Sequence, residues 1–145
     1  METVGFDSPL LMAVESMREP VLDMLLAKGA RINYCTSYSL KAAYTPLNIA
    51  VEQGDIQVVR KLLQHGADPN LSFQHERYNL IIAASLGYVD IVELLLDSGT
   101  NGLVTKFNEK LGVSENAYQI AMREGHLELA TLLKVRLWQQ QLVSK

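Results

Sequence analysis

Apolar residues in this chain recur in short helical periods rather than long runs. In the stretch Thr45 to Asn70, TPLNIAVEQGDIQVVRKLLQHGADPN, two such periods are split at Gly54 and closed at Gly66. Thr45 suits the cap of a first helix, and Pro46 its first turn, where a missing N–H costs nothing. Gly54 permits a turn into a second helix, and Gly66 stands where that helix would end in a left-handed cap. The pattern predicts two short helices joined by a tight turn.

The same pattern returns three more times, beginning at Ser8 (SPLLMAVESMREPVLDMLLAKGARIN), at Tyr78 (YNLIIAASLGYVDIVELLLDSGTNGL) and at Asn116 (NAYQIAMREGHLELATLLKVRLWQQQ). The starts lie 37, 33 and 38 residues apart, a period that signals a repeat architecture. Ala13, Ala50, Ala83 and Ala121 align, where two helices of a pair must approach closely. Leu10, Leu47, Leu80 and Tyr118 align as well, as do Val21, Val58, Ile91 and Leu129, and then Leu25, Leu62, Leu95 and Leu133. Ser8 with Pro9 repeats the start signal, Gly87 and Gly125 repeat the turn, and Gly29 and Gly99 repeat the cap. Helices of about 8 to 10 residues are too short to persist alone. Their stability must come from stacking on neighbours.

A Thr-Pro-Leu opening, a first helix with a small residue, a Gly turn, an apolar second helix and a closing Gly-Ala-Asp with Asn resemble the ankyrin repeat. Residues 45 to 70 carry the resemblance most fully, the first and third units well and the fourth in part. It implies an all-α fold: an ankyrin-repeat solenoid of about four helix-turn-helix units with extended finger loops. Residues 1–145 would form a single domain with units at approximately 8–44, 45–77, 78–115 and 116–145. In that family the place of Asn48 usually holds a His that steadies the turn before the first helix. Here the four units carry Leu11, Asn48, Ile81 and Gln119, so the expectation for Asn48 is a local bond to nearby backbone.

Departures from the repeat mark what is individual. Met17 takes the place of a turn glycine, and Glu19 stands where the other units have Ile56, Val89 and Leu127. A polar group is cheap on a face toward solvent, so the first unit is expected to cap the array. Leu137 replaces a cap glycine. The last helix is therefore expected to run from about Leu127 toward Leu142, with Leu133, Leu137 and Trp138 on an apolar side. The spacings around NYCTSYSLKAAYT and LVTKFNEKLGVSEN carry four and five extra residues, and insertions in a stacked array are pushed out to one face, often the binding face.

The resemblance implies binding through finger tips and the concave face of the first helices. On the fingers this points to Tyr34, Tyr38, Phe73, His75, Arg77 and Phe107, with Tyr44 beside them. On first helices and turns it points to Glu52, Asp55, Leu86, Tyr88 and Arg123, with Glu15 and Arg18. Aromatic and Arg side chains supply contact area with a polar handle. Tyr44 and Tyr78 precede or occupy helix starts, and their expected role is packing between fingers rather than contact. Leu86 and Tyr88 are the most pointed, because the second unit has polar Gln53 and Asp55 there.

Composition narrows the function further. Hydrophobic residues make up 48% and charged ones 20% of the chain, with a formal net charge of -3, and the basic residues never cluster. That argues against nucleic acid or an anionic membrane surface as partner. The N-terminal METVGFDSPLL lacks the basic start of a signal peptide, and no run approaches the roughly 18 apolar residues of a membrane span, so no membrane insertion is expected. One cysteine, Cys35, cannot staple a domain, which points to the reducing cytosol or nucleus; a non-classical secretion route stays open. His65, His75 and His126 fall at different places in their units, without the spacing of a zinc site. Cys35 and His75 on neighbouring fingers lack an orienting third group, and the solitary turn glycines cradle no phosphate. The expectation is a non-enzymatic module with no metal or cofactor that binds a protein partner. The alternative is a scaffold or targeting segment of a larger multidomain protein, such as an effector, adaptor or channel, meeting an adjoining domain or its own copy through Trp138 and Leu142.

Overall fold

A computed structural model of the protein describes residues 9–33, 44–71, 78–102 and 104–143. Helices come in consecutive pairs: α1 (Pro9–Glu15) with α2 (Glu19–Ala27), α3 (Pro46–Gln53) with α4 (Ile56–Gln64), and α5 (Asn79–Leu86) with α6 (Val89–Asp97). After a hairpin of β1 (Thr105–Asn108) and β2 (Val113–Asn116), α7 (Ala117–Arg123) pairs with α8 (Leu127–Val143). The first helices α1, α3, α5 and α7 pack in one row, and α4, α6 and α8 in a second. Lys61 of α4 ties α2 to that second row, with its Nζ 3.1 Å from Glu19 and 3.0 Å from Asp23. The chain is an all-α solenoid with, among the described residues, one small strand pair, which the apolar periods did not announce.

The repeated apolar positions form one continuous core. Leu10, Leu47 and Leu80 are buried, as are all four aligned alanines, and Leu62, Leu95 and Leu133 are fully buried. The first unit departs from the aligned pattern. Its second helix buries Leu22 and Leu26, while Val21 is exposed and Leu25 half-buried. Met12, Val21 and Met24 are exposed on this unit, so its outer side is more apolar than expected of a cap, although Glu19 does lie exposed as a polar partner of Lys61.

Asn48 does more than bond nearby backbone. Thr45 N–H donates to Asn48 Oδ1 and Asn48 N–H donates to Thr45 Oγ1, both at 3.1 Å, closing a capping box at the start of α3. The free amide hydrogens of Asn48 then reach the next unit: Nδ2 donates to Asn79 Oδ1 at 2.7 Å, and Asn79 Nδ2 donates to Pro69 O at 3.1 Å. Both asparagines are buried. A polar relay thus runs between the second and third units where a residue of one unit alone was expected to bond. Asn116 and Gln119 repeat the capping box at α7 on an exposed surface.

A second ladder links the loops that follow the second helices. Asn33 Nδ2 donates to Gly66 O and Asn33 Oδ1 accepts from Asp68 N–H. One unit later, Asn70 Nδ2 donates to Gly99 O and Asn70 Oδ1 accepts from Asn101 N–H. Each asparagine side chain satisfies one donor and one acceptor of the neighbouring loop, so successive loops are held in register. Ser8, proposed as a cap, lies outside the described residues.

The turn glycines answer two constraints at once. Gly54, Gly87 and Gly125 have φ of 72°, 76° and 82°, the left-handed region that disfavours a Cβ. Space is short at two of them: a Cβ on Gly87 would meet the His126 ring at 2.7 Å, and one on Gly54 would meet the Tyr88 ring at 2.8 Å, whereas Gly125 faces open space. Met17 keeps a left-handed φ of 54° without being glycine. The residue corresponding to Tyr88 and His126 in the unit after Met17 is Asp55, which turns its carboxylate back to cap Val58 N–H.

Two substitutions test these contacts. Asn79→Ala leaves the Asn48 amide and the Pro69 carbonyl without their partner and is expected to cost about 1 to 3 kcal/mol in urea unfolding, the range for an orphaned buried group; a loss below about 0.5 kcal/mol, the scatter of surface changes, would show the relay idle. Gly125→Ala should cost about 1 kcal/mol from backbone strain alone, and Gly87→Ala about 1 to 3 kcal/mol more because it also displaces a ring. Equal losses for the two would show that His126 yields freely.

Candidate protein interface

The insertion before the fourth unit builds the most distinctive surface. Thr105, Phe107 and Val113 are strand formers, and Asn108 shapes the return: its Oδ1 accepts from Lys110 and Leu111 N–H, and its carbonyl from Gly112 N–H at 2.8 Å, with Gly112 at φ 67°. Thr105 stands opposite Asn116 and Asn108 opposite Val113. The hairpin therefore runs directly into the cap of α7.

A buried carboxylate fastens it. Glu115 on β2 accepts from Arg123 Nε on α7 at 3.0 Å and from Asn108 Nδ2 on β1 at 2.9 Å. Arg123 also pairs with the adjacent Glu124. The Arg123 guanidinium first, and then the Asn108 amide, hold the Glu115 carboxyl below the usual carboxylate range. Glu115 in turn raises the Arg123 pKa.

Between this clamped hairpin and the first-helix row lies an open groove of about 750 Å³. Ile82, Ser85 and Leu86 of α5 line one side, Lys106, Phe107 and Asn108 the hairpin side, and Arg123 and Glu124 of α7 the end. Leu86 is 46% and Phe107 47% exposed, so two large apolar groups meet solvent across a rim of both charge signs. A smaller groove of about 290 Å³ joins Glu15, Tyr44, Ile49, Glu52 and Gln53, where Gln53 Nε2 donates to Glu15 O.

Of the residues singled out in the sequence, Glu52, Leu86, Phe107 and Arg123 line the larger groove, and Glu52 lines the smaller one too. Asp55 caps α4 within its own unit, and Tyr88 is half-buried over Gly54 of the preceding unit. Tyr44 is half-buried against the core, while Glu15 and Arg18 are exposed. Tyr34, Tyr38, Phe73, His75 and Arg77 lie outside the described residues. Lys106, Asn108 and Glu115 were missed, since alternation within a short insertion gives no sign of which carboxylate faces inward.

Among the described residues the two histidines lie apart, each beside a backbone carbonyl. His65 Nδ1 lies 2.8 Å from Lys61 O at the end of α4, and His126 Nε2 lies 3.1 Å from Ser85 O, spanning two units. Among the described residues no group of three His, Cys, Asp or Glu is placed to hold a metal ion, and no helix is long and apolar enough to cross a membrane.

Residues 4–73 and 47–136 match the family model for ankyrin repeats in three copies. The chain belongs to the ankyrin-repeat family. It is 30% identical over 109 residues to an ankyrin repeat-containing protein of Treponema pallidum, covering 75% of this chain and 35% of that protein. It is 28% identical over 106 residues to an ankyrin repeat and KH domain-containing protein, mask-1, of Caenorhabditis elegans, covering 72% of this chain and 4% of the relative. The 2-5A-dependent ribonuclease of Mus musculus is 38% identical over 77 residues, covering 53% of this chain and 10% of that enzyme. The chain thus spans about a third or less of these relatives' lengths. Ankyrin repeats are in general protein–protein interaction modules.

The Glu115 clamp has a pH signature. Its folded pKa lies below the unfolded one, so its stabilisation is complete above the unfolded value and is lost as pH falls through the folded value. Unfolding of wild type and Glu115→Gln is expected to differ most near neutrality, with the gap closing in acid. A gap that stays constant across that range would show that the carboxylate charge contributes nothing.

Proposed function

We propose that this chain is a non-enzymatic interaction module, a single domain of four units over residues 1–145, that holds a protein partner between its finger loops and the concave first-helix row. The observation that carries this reading is the open groove in which Leu86 and Phe107 present apolar surface from two different elements, framed by Glu52, Lys106 and Arg123. Exposed apolar anchors within a charged rim have the composition of an interface hot spot. Tyr34, Tyr38, Phe73, His75 and Arg77 on the fingers, with the turn residues Asp55 and Tyr88, complete the proposed contact surface. The weak net charge and scattered basic residues support a protein rather than a nucleic acid as the ligand, and the lone cysteine supports a cytosolic or nuclear setting.

A second reading has its own support. The relatives named above are much longer than the segment they share with this chain, which favours a role as a scaffold or targeting segment of a larger protein such as an effector, adaptor or channel. The two readings are compatible, because the same groove would serve either.

Crosslinked capture from a cell extract tests the surface. A Leu86→Ala, Phe107→Ala variant should retain its melting curve, since both side chains are exposed, and lose partner recovery by about tenfold or more, the effect of removing hot-spot anchors of about 1.4 kcal/mol or above. Equal recovery of a partner by wild type and variant would place the binding surface elsewhere.

A further inference from the structure

The last helix carries two apolar faces, and its own array covers one. Leu129, Ala130, Leu133 and Leu137 of α8 are buried. On the opposite side Thr131, Val135, Trp138 and Leu142 follow one another at steps of four, three and four, the alternation of a two-helix seam. Val135 is 51%, Trp138 61% and Leu142 54% exposed. Exposed apolar side chains are ordinary when scattered; three of them, with Thr131, in seam register on one helix are not scattered.

The geometry points to self-association: the outer face of α8 receives the same face of a second copy of this chain, running antiparallel. The helix is built to present it. The other second helices α2, α4 and α6 have 9 residues each, whereas α8 has 17 and continues through Leu137, where they meet a glycine. Gln140 anchors the extension, its Oε1 accepting from Gly102 N–H and its Nε2 donating to Thr100 O, both at 3.1 Å. Arg136 adds an ion pair with Asp97 of α6 at 2.6 Å. Trp138 and Leu142 therefore project from a helix fixed on either side of Leu137, which lowers the ordering cost of association.

A further repeat is the poorer occupant. It would stack where Lys134 and Gln119 stand, the positions at which the third unit buries Leu96 and Ile81. Covering a lysine is costly without a partner charge. Charge also selects the orientation: in parallel pairing Glu128, in the same register as Val135 and Leu142, would face its own copy. Antiparallel pairing sets Val135 of each copy against Trp138 of the other and Thr131 against Leu142, with no like charges opposed. The seam from Thr131 to Leu142 is about 17 Å long at 1.5 Å per residue, far less than a standard interface, so the dimer is reversible and weak.

Sedimentation of the 145-residue chain across concentration, with emission from its single tryptophan, tests this. Wild type should pass from monomer to dimer mass as concentration rises through the micromolar range toward about 1 mM, with Trp138 emission shifting to the blue in step. Leu142→Lys and Val135→Lys, both at exposed positions, should keep the monomer mass and the unshifted emission. A wild-type monomer at about 1 mM, where even a millimolar contact would be substantially populated, overturns the proposal and leaves the seam to a different chain. Dimerisation undiminished in both variants overturns it as well.

Discussion

Among the described residues, no helix before α8 is long enough to stand alone. Helices of seven to nine residues bury their apolar stripes only against a neighbouring pair, and everything else in the structure serves that stacking. The aligned alanines let helices approach, the leucines fill the space between rows, and the second helices supply the apolar surface that joins one unit to the next. Stability in such an array is a sum over unit interfaces rather than a property of any one unit.

Stacking by apolar contact alone would leave register loose, and asparagine supplies the register. Asn48 and Asn79 share a buried bond across units, and Asn33 and Asn70 each bind the next loop through one acceptor and one donor. A buried amide contributes little net energy when satisfied and costs heavily when orphaned, so the buried Asn48–Asn79 bond penalises misaligned units more than it rewards aligned ones, while the exposed Asn33 and Asn70 add a geometric match between loops. The turn contributes a steric version of the same rule. Tyr88 and His126 occupy room that only a glycine in the preceding unit leaves open.

Much of this was legible in the sequence. The repeat length, Thr45 with Pro46 and the turn glycines led to the helix pairs, and the substitution of Leu137 for glycine led to the long last helix. What stayed hidden were relations between units. Asn48 was read as bonding locally because a sequence shows its neighbours along the chain, not Asn79 across a stacking interface. The two loop asparagines do recur four residues after Gly29 and Gly66, a signal that was present and unused. The hairpin was hidden for another reason: strands of four residues carry too short an alternation to separate from a loop, and the inward turn of Glu115 depends on Arg123 from the following helix. Leu86 and Phe107 were identifiable as candidates, but only the folded hairpin brings them to one groove.

Two irregular places around the fourth unit are each completed by side-chain bonds between elements. Counting four residues on from Gly99, as for Asn33 and Asn70, the sequence has a leucine, and Gln140 from α8 brings an amide side chain to this loop, bonding both Thr100 and Gly102. That bond exists only because Leu137 lets the helix continue past the place of a glycine. The packing that admits this is close: a Cβ on Gly102 would collide with Leu137 Cδ2. Closing the loop ladder and extending α8 are thus one structural event, and the exposed Val135, Trp138 and Leu142 are its outward consequence. The hairpin follows a parallel logic, since the bond of Glu115 to Arg123 that fixes the insertion to α7 also sets the far wall of the groove. In both places an interaction that finishes the fold creates the surface by which this chain differs from a regular repeat.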